Sequence, residues 1–166
     1  MAKITLNIDY DYDFMLFAIT AHEPDYKFCH KLNNQLQLAF QKEDPIELKN
    51  KNQANQLLFS LYTYINDEQI EYNLLSNKSF NQVANNKQNI ANQPNLFSEE
   101  DESEFVGQIG YLIPELSNYD YLLIIRAPYK PETAHETERI IKEIDAVLKI
   151  QYTDVTDLIS KNNLIF

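Results

Sequence analysis

"YLIPELSNYDYLLII", Tyr111 to Ile125, contains the most apolar run of the chain and predicts the centre of its fold. Pro114 has no backbone N–H, so it cannot occupy the middle of a strand ladder, and it favours an extended conformation at Ile113. The strand that follows alternates Tyr119, Tyr121, Leu123 and Ile125 on one face with Asp120, Leu122, Ile124 and Arg126 on the other. Because both faces are apolar in the middle, we expect a central strand that is covered on both sides.

Asp120 begins a face of this strand that becomes core, so its carboxylate needs hydrogen-bond donors. Arg126 lies about 20 Å along an extended strand, at ~3.3 Å per residue, which is too far to help. Backbone N–H groups of the preceding turn or a tyrosine hydroxyl are the expected donors. This interpretation gives Pro114, Glu115 and Asp120 a structural role, and the alternative is a ligand or partner site built on Glu115 and Asp120.

The amino-terminal half predicts one strand, two helices and a set of antiparallel strands. "KITLNI" (3–8) alternates like a half-buried strand, and "DYDFMLFAITAHE" (11–23) places apolar residues at helical spacing. Pro24 is expected to open a second helix over 24–37. The predicted strands that follow span 38–43, 46–50, 55–65 and 69–75, with turns at Asp44-Pro45 and Asn66-Asp67-Glu68.

The carboxyl-terminal third predicts strand, helix and strand. The strand is "YDYLLIIRA" (119–127), and the amphipathic helix spans 132–149 with Thr133 and Glu136 as a capping box. A strand over 150–155 and a short helix over 156–162, with Thr156 as a cap, complete the pattern. The apolar "LIF" at 164–166 is expected to dock on the body.

These elements predict a single α+β domain over residues 1–166. Its sheet is mainly antiparallel, with two amino-terminal helices and one long carboxyl-terminal amphipathic helix packed on it. Residues 77–107 are rich in Asn and Gln and then acidic, which predicts a long mobile loop that is either functional or an insertion. We favour the insertion.

Composition argues against several classes of function. The 166 residues carry a formal charge of −11, and the pI is about 4.6, so nucleic acid and anionic membranes are unfavourable partners. The single cysteine excludes an internal disulfide and a Cys-rich zinc site. Only two glycines, Gly107 and Gly110, are present, so phosphate-cradling loops are absent from the sequence. Met1-Ala2-Lys3 leads into a strand pattern, and we expect a cytoplasmic protein without a cofactor.

Asp9, Asp11 and Asp13 form a cluster that could bind a hard cation such as Mg²⁺ or Ca²⁺. The EF-hand pattern fails, because Phe14 stands where Gly is needed and Thr20 where Glu is needed. Asp-x-Asp after a strand also resembles the nucleophile loop of haloacid-dehalogenase-type phosphotransferases. Helix capping by solvated acids is the favoured interpretation.

The neighbours Cys29 and His30 could be read as a nucleophile and its base. Adjacent residues on a helix point about 100° apart and do not face each other. Cys29 lies on the predicted apolar face, so we expect a buried, inert thiol.

"IPE" followed three residues later by "YDY" resembles the signature Ile-Pro-Glu-x-x-x-Val-Asp-Tyr of the bacterial IPExxxVDY family. Ile113, Pro114, Glu115, Asp120 and Tyr121 match it, and Tyr119 replaces the valine. "IDYDYDF" and "NLIF" are similar to the ends of that family. The resemblance implies a small bacterial cytoplasmic protein of unknown function, and no catalytic residue follows from it.

The favoured hypothesis is a non-enzymatic binding or scaffolding domain with a protein partner or a second copy of itself. Binding candidates are Pro114, Glu115, Asp120, Tyr121, Asp9, Asp11 and Asp13, and no catalytic or metal-binding residue is assigned. The alternative is a small metal-dependent, phosphotransferase-like enzyme that uses the amino-terminal aspartates. If both acidic groups line one pocket, the enzyme is favoured; if they lie apart, it is disfavoured.

Overall fold

The structure, a computed structural model, describes residues 12–49, 56–79 and 110–166. The strands are β1 (Met15–Ala21), β2 (Gln41–Lys42), β3 (Ile46–Lys49), β4 (Gln56–Phe59), β5 (Leu61–Ile65), β6 (Glu71–Ser76), β7 (Tyr121–Arg126) and β8 (Val147–Thr153). The α-helices are α1 (Asp25–Leu36) and α2 (Pro131–Lys142). The strand predicted over 3–8, and the predicted loop from residue 80 onward, lie outside the described residues.

Six strands form one antiparallel sheet in the order β2-β5-β6-β7-β1-β8. β3 and β4 form a separate two-stranded antiparallel sheet. β7 lies at the centre of the large sheet between β6 and β1, with Met15 of β1 opposite Ile125 and Ile19 opposite Tyr121. The central position predicted for the Tyr121–Arg126 run is therefore confirmed.

Two hydrophobic clusters cover the two faces of this sheet. On one face, Phe17, Ile19 and Leu123 pack with residues of α1 and α2. On the other face, Leu16, Leu122 and Ile124 pack against residues that belong to neither α-helix. These are Phe59, Leu112, Ile113, Leu116 and residues of the segment Val155–Leu164. Burial on both faces explains why β7 and β1 are apolar at almost every position.

The predicted arrangement of three helices is wrong, although the structure is α+β with an antiparallel sheet. Residues 15–21 form β1 and not a helix, and only two α-helices occur in the described ranges. Met15 to Ile19 is an unbroken apolar run, and such a run satisfies helical spacing as well as any other period. Pairing with β7 and β8 decides the conformation, because it satisfies backbone groups on both sides of the strand.

The two helices follow their sequence signals to different extents. α1 begins after Pro24 and buries Phe28, Cys29 and Leu32, as expected. α2 ends at Lys142, seven residues earlier than predicted, because Val147 and the residues after it pair with β1. The capping box is also wrong: α2 begins at Pro131 without a side-chain cap. Neither helix, at 12 residues, is long and apolar enough to cross a membrane.

The middle of the chain contains one strand more than the sequence pattern predicts. The predicted strand over 55–65 is divided at Ser60, so that β4 pairs with β3 while β5 joins the large sheet. The hairpin between β5 and β6 forms as predicted, with Gln69 in the left-handed region at φ 62° in place of the missing glycine.

The segment after β8 supplies much of the cover on the face that the helices leave open. It contains short 3₁₀ helices at Val155–Asp157 and Lys161–Leu164, and Asp154, not Thr156, caps the first. Leu164 is fully buried, so the expected docking of the "LIF" segment holds for this residue.

Asn77 connects the end of β6 to residues 112–120 through its side-chain amide, its backbone N–H and its backbone carbonyl. Its side chain accepts a hydrogen bond from the Ile113 N–H at 2.9 Å and donates to the carbonyls of Leu116 and Tyr119 at 2.8 and 3.2 Å. Its backbone N–H donates to the backbone carbonyl of Asp120, and its backbone carbonyl accepts from the N–H of Leu112. The residue is fully buried, so water does not compete for these groups.

Asn77→Ala is expected to destabilise the protein strongly, because at least three buried backbone groups lose their partner. With about 1–3 kcal/mol for each orphaned group, we expect a loss of at least about 3 kcal/mol. That corresponds to a fall in the melting midpoint of roughly 6–12 °C, measured by circular dichroism.

The matched control is Asn34→Ala, the same substitution at an exposed position of α1, where the side-chain amide hydrogen-bonds to His30 and to no other described residue. It should leave the midpoint within about 2 °C, since exposed substitutions change stability little. Equal midpoints for the two variants would contradict the role assigned to Asn77.

Candidate functional site

Asp120 lies where β7 begins, and its two carboxylate oxygens have different partners. Oδ2 accepts a hydrogen bond from the backbone N–H of Ala21 at 3.1 Å, and Oδ1 forms an ion pair with Lys78 Nζ at 2.6 Å. The expectation of donors from the local turn or from a tyrosine hydroxyl is wrong. The donors come from the end of the neighbouring strand β1 and from a lysine just past β6, which tertiary contact alone brings to this place.

Tyr121 points to the opposite face of β7. Its ring stacks on Phe28 of α1 with centroids 4.7 Å apart, and its hydroxyl donates to the carbonyl of Glu23. Burial, followed by the nearby charges of Asp25 and Asp120, raises the pKa of Tyr121. The side chain therefore stays neutral at physiological pH and holds the start of α1 against the sheet.

A cleft of about 450 Å³ opens beside these two residues and is accessible from solvent. It lies where β1 and β6 end, where β5 and β7 begin, and where α1 starts. Its lining consists of Ala21, His22, Glu23, Asp25, Ser60, Ser76, Lys78, Asp120 and Tyr121. Loops and strand ends on a rigid sheet commonly carry binding residues, so this cleft is the candidate functional site.

The charges of the cleft are unevenly balanced. Lys78 neutralises Asp120, while Lys31, from outside the cleft, pairs with Glu23 at 3.0 Å and with Asp145 at 2.8 Å. Asp25 takes part in no ion pair with another described residue, and its Oδ1 accepts from the N–H of Tyr26 at 2.8 Å. Three carboxylates face one lysine in the lining, so the site is negative overall.

Two serines of the cleft lining lie side by side, Ser60 just before β5 and Ser76 at the end of β6. The Ser76 hydroxyl accepts a hydrogen bond from the Ser60 N–H at 2.9 Å, and the Ser76 N–H donates to the Ser60 carbonyl at 3.0 Å. Ser60 is only 4% exposed, yet its hydroxyl donates no hydrogen bond to any other residue in the described part of the chain.

Tyr62 is a second buried polar group near Asp25. Burial raises the pKa of Tyr62, and the Asp25 carboxylate adds to this rise. The Tyr62 hydroxyl has no hydrogen-bond partner among the described residues. Tyr62 is therefore a close neighbour of Asp25 and not its hydrogen-bonded partner.

Glu115 and Pro114 lie away from the cleft. Glu115 Oε1 accepts a hydrogen bond from the Ser160 N–H at 2.7 Å, which joins the 3₁₀ helix Pro114–Leu116 to the carboxyl-terminal segment. Desolvation acts to raise the pKa of Glu115, but hydrogen bonds from its own backbone and from Ser160 outweigh it and lower the pKa. Glu115 and Asp120 therefore do not form one site.

The amino-terminal aspartates do not join Asp120 either, as far as the structure describes them. Asp13 is exposed and precedes β1, whereas Asp120 lies beside the other end of that strand, roughly 20 Å away at ~3.3 Å per residue. Asp9 and Asp11 lie outside the described residues. Within 12–49, 56–79 and 110–166, no group of three or more His, Cys, Asp or Glu side chains could hold a metal ion.

Cys29 and His30 do not form a reactive pair. Burial, with a further contribution from Asp25, raises the pKa of the Cys29 thiol to about 11. His30 is exposed and hydrogen-bonded to Asn34 at 3.2 Å. The prediction that the Cys29 thiol is buried is confirmed.

Several lining residues carry no sequence signal strong enough to single them out. Lys78 follows directly on the start of the predicted loop, and His22 and Glu23 fall in the segment that was expected to be helical. Ser60 carries no such signal either, because it falls on the face of the predicted strand opposite Phe59 and Leu61, where a polar residue is ordinary.

No protein-family model matches this chain, and searches of curated proteins and of solved structures find no match either.

Asp120→Ala should lower the free energy of unfolding by about 1–3 kcal/mol, because the Ala21 N–H loses its acceptor and Lys78 its counterion. Thermal unfolding at pH 7 measures the change. Asp120→Asn is the matched control, since it keeps an oxygen for the Ala21 N–H and loses only the charge. Its free energy of unfolding should lie between those of the wild type and Asp120→Ala. An unchanged midpoint for Asp120→Ala would contradict the structural role.

Glu115→Gln should change the pH dependence of stability. Because folding lowers the pKa of Glu115, its ionised form stabilises the protein above the ordinary value of 4.5, and this contribution is lost as the pH falls through the lower folded pKa. The difference in unfolding free energy between wild type and variant should therefore be present at pH 7 and shrink below about pH 4.5. A constant difference from pH 7 to pH 3 would contradict this assignment.

Proposed function

We propose that the protein is a non-enzymatic binding domain that engages a protein partner through the cleft beside Asp120 and Tyr121. The observation that carries this proposal is the construction of the cleft. Strand ends and the start of α1 hold its side chains through contacts with the backbone and with counterions. A site built in this way is preorganised, which reduces the ordering cost of binding.

The character of the cleft favours a segment of protein over a small molecule. Small-molecule sites are usually enclosed and mostly apolar, with few polar groups. This cleft is open to solvent and presents carboxylates, hydroxyls and an ammonium group. A side chain on the surface of a partner can enter such a site while the surrounding surface makes further contacts.

The enzyme alternative has less support from the described residues. Its test was the convergence of two acidic groups, and Asp13 lies at the opposite end of β1 from Asp120. Ion pairs and backbone hydrogen bonds hold Asp120 and Glu115, which suits a structural role better than proton transfer.

We also propose that the chain is a cytoplasmic bacterial member of the IPExxxVDY family. The fold supplies a physical reason for the matching residue types: Ile113 is fully buried, Pro114 begins a 3₁₀ helix, and Glu115 bonds to Ser160. Asp120 bonds to Ala21 and Tyr121 to Glu23. Each signature side chain with a polar group thus joins a different part of the chain.

Site-specific photocrosslinking in the native cell tests the proposed function. A benzoylphenylalanine at position 22, where His22 is exposed on the rim of the cleft, should give a discrete covalent adduct with a protein on irradiation. An adduct with a second copy of the chain would assign the cleft to a homo-oligomer.

The matched control places the same group at position 159, where Ile159 is 88% exposed in the segment that bonds to Glu115 and does not line the cleft. We expect no corresponding adduct there. Absence of any adduct at position 22, or the same adducts at both positions, would contradict the assignment of the cleft.

A further inference from the structure

The cleft contains one carboxylate without a counterion. Of its three acidic side chains, Glu23 pairs with Lys31 and Asp120 pairs with Lys78. Asp25 has no ion pair with any described residue, and it is only partly buried. A cation that enters the cleft therefore meets an available carboxylate at Asp25.

Ser60 is a second and independent feature of the same wall. The residue is 4% exposed and lines the cleft, and its hydroxyl donates to no other residue of the described segments. A ligand group that enters the cleft can form a hydrogen bond with this hydroxyl in place of water. A hydroxyl can accept as well as donate, so it suits an N–H donor that Asp25 attracts.

We infer that the cleft recognises a cationic nitrogen group, the ammonium of a lysine or the guanidinium of an arginine on a protein partner. Asp25 is the counterion and Ser60 is the neutral acceptor. The inference rests on the proposed function and specifies the chemistry of the partner. The formal charge of −11 on the chain also favours a basic partner, because opposite charge accelerates encounter.

The competing ligand classes meet obstacles in the same geometry. An anion would need Lys78, but Asp120 already holds that ammonium group at 2.6 Å. The start of α1, which would otherwise attract an anion, carries the negative charge of Asp25 in its first turn. A metal ion would need a cluster of ligands that does not occur among the described residues.

A peptide selection tests the inference with the full chain. A random peptide library displayed on phage is selected on the immobilised protein, and eluted with an excess of free protein. We expect lysine or arginine at one shared position of the selected peptides. Replacing that residue by norleucine in a synthetic peptide should weaken binding at least about tenfold, measured by fluorescence anisotropy at low salt.

Asp25→Asn is the decisive variant, because asparagine keeps the oxygen that accepts from Tyr26 and removes only the charge. It should weaken binding of the basic peptide at least about fivefold, and Ser60→Ala should weaken it to a smaller extent. The matched control is Asp67→Asn, the same change in the turn of the β5–β6 hairpin, at the end far from Ser60. It should leave affinity within twofold, and the melting midpoint of each variant verifies folding.

Two results would overturn the inference in distinguishable ways. Peptides without a shared basic residue that nonetheless suppress the photocrosslink at position 22 would refute the cationic ligand and leave the proposed function standing. A selection that yields no peptide able to compete at position 22 would count against both. Equal weakening by Asp25→Asn and Asp67→Asn would show only general electrostatic attraction, and would also refute the site.

Discussion

The fold depends on a buried asparagine that ties two distant segments together. Asn77 follows directly on β6, the strand that pairs with β7, and its side-chain amide satisfies backbone groups of Ile113, Leu116 and Tyr119. The stretch 113–119, between the bridge at Tyr111 and the start of β7, packs against one face of the sheet and lies outside its strands, so its backbone groups need other partners. One amide with both donor and acceptor capacity replaces several ladder bonds, which is why a leucine of similar size could not serve here.

The contacts that hold Asp120 and Tyr121 also shape the cleft, because both residues lie where β7 begins beside the end of β1. Asn77 holds residues 112–120 in place, so that β7 begins next to the end of β1. The Asp120 carboxylate there accepts from the Ala21 N–H and pairs with Lys78. Tyr121 then reaches across to Glu23 and Phe28 at the start of α1. Residues with structural roles therefore form the walls, while Asp25 and Ser60 keep hydrogen-bonding or ionic capacity for a partner. This division of roles is the physical basis on which we propose binding for the cleft.

The sequence singled out Asp120 as a residue of the candidate site, but it did not predict the partners of Asp120 or the role of Asp25. Asp120 stood out because a carboxylate at the start of an apolar face must find donors, and the structure gives it two. The donors themselves were missed, since Ala21 lies 99 residues and Lys78 42 residues away along the chain. Asp25 looked like an ordinary first-turn acid, and what distinguishes it from Glu23 is that it forms no ion pair with any residue that the structure describes.

The sequence by itself determined the central position of Tyr121–Arg126, the helix that follows Pro24, the β5–β6 hairpin and the buried state of Cys29. These depend on local signals: proline, side-chain period and turn residues act within a few positions of the chain. Tertiary structure alone decided that residues 15–21 form a strand, that α2 stops at Lys142 and that the chain changes sheets at Ser60. An apolar run buried on both faces has no diagnostic period, so the strands available to pair with it decide its conformation.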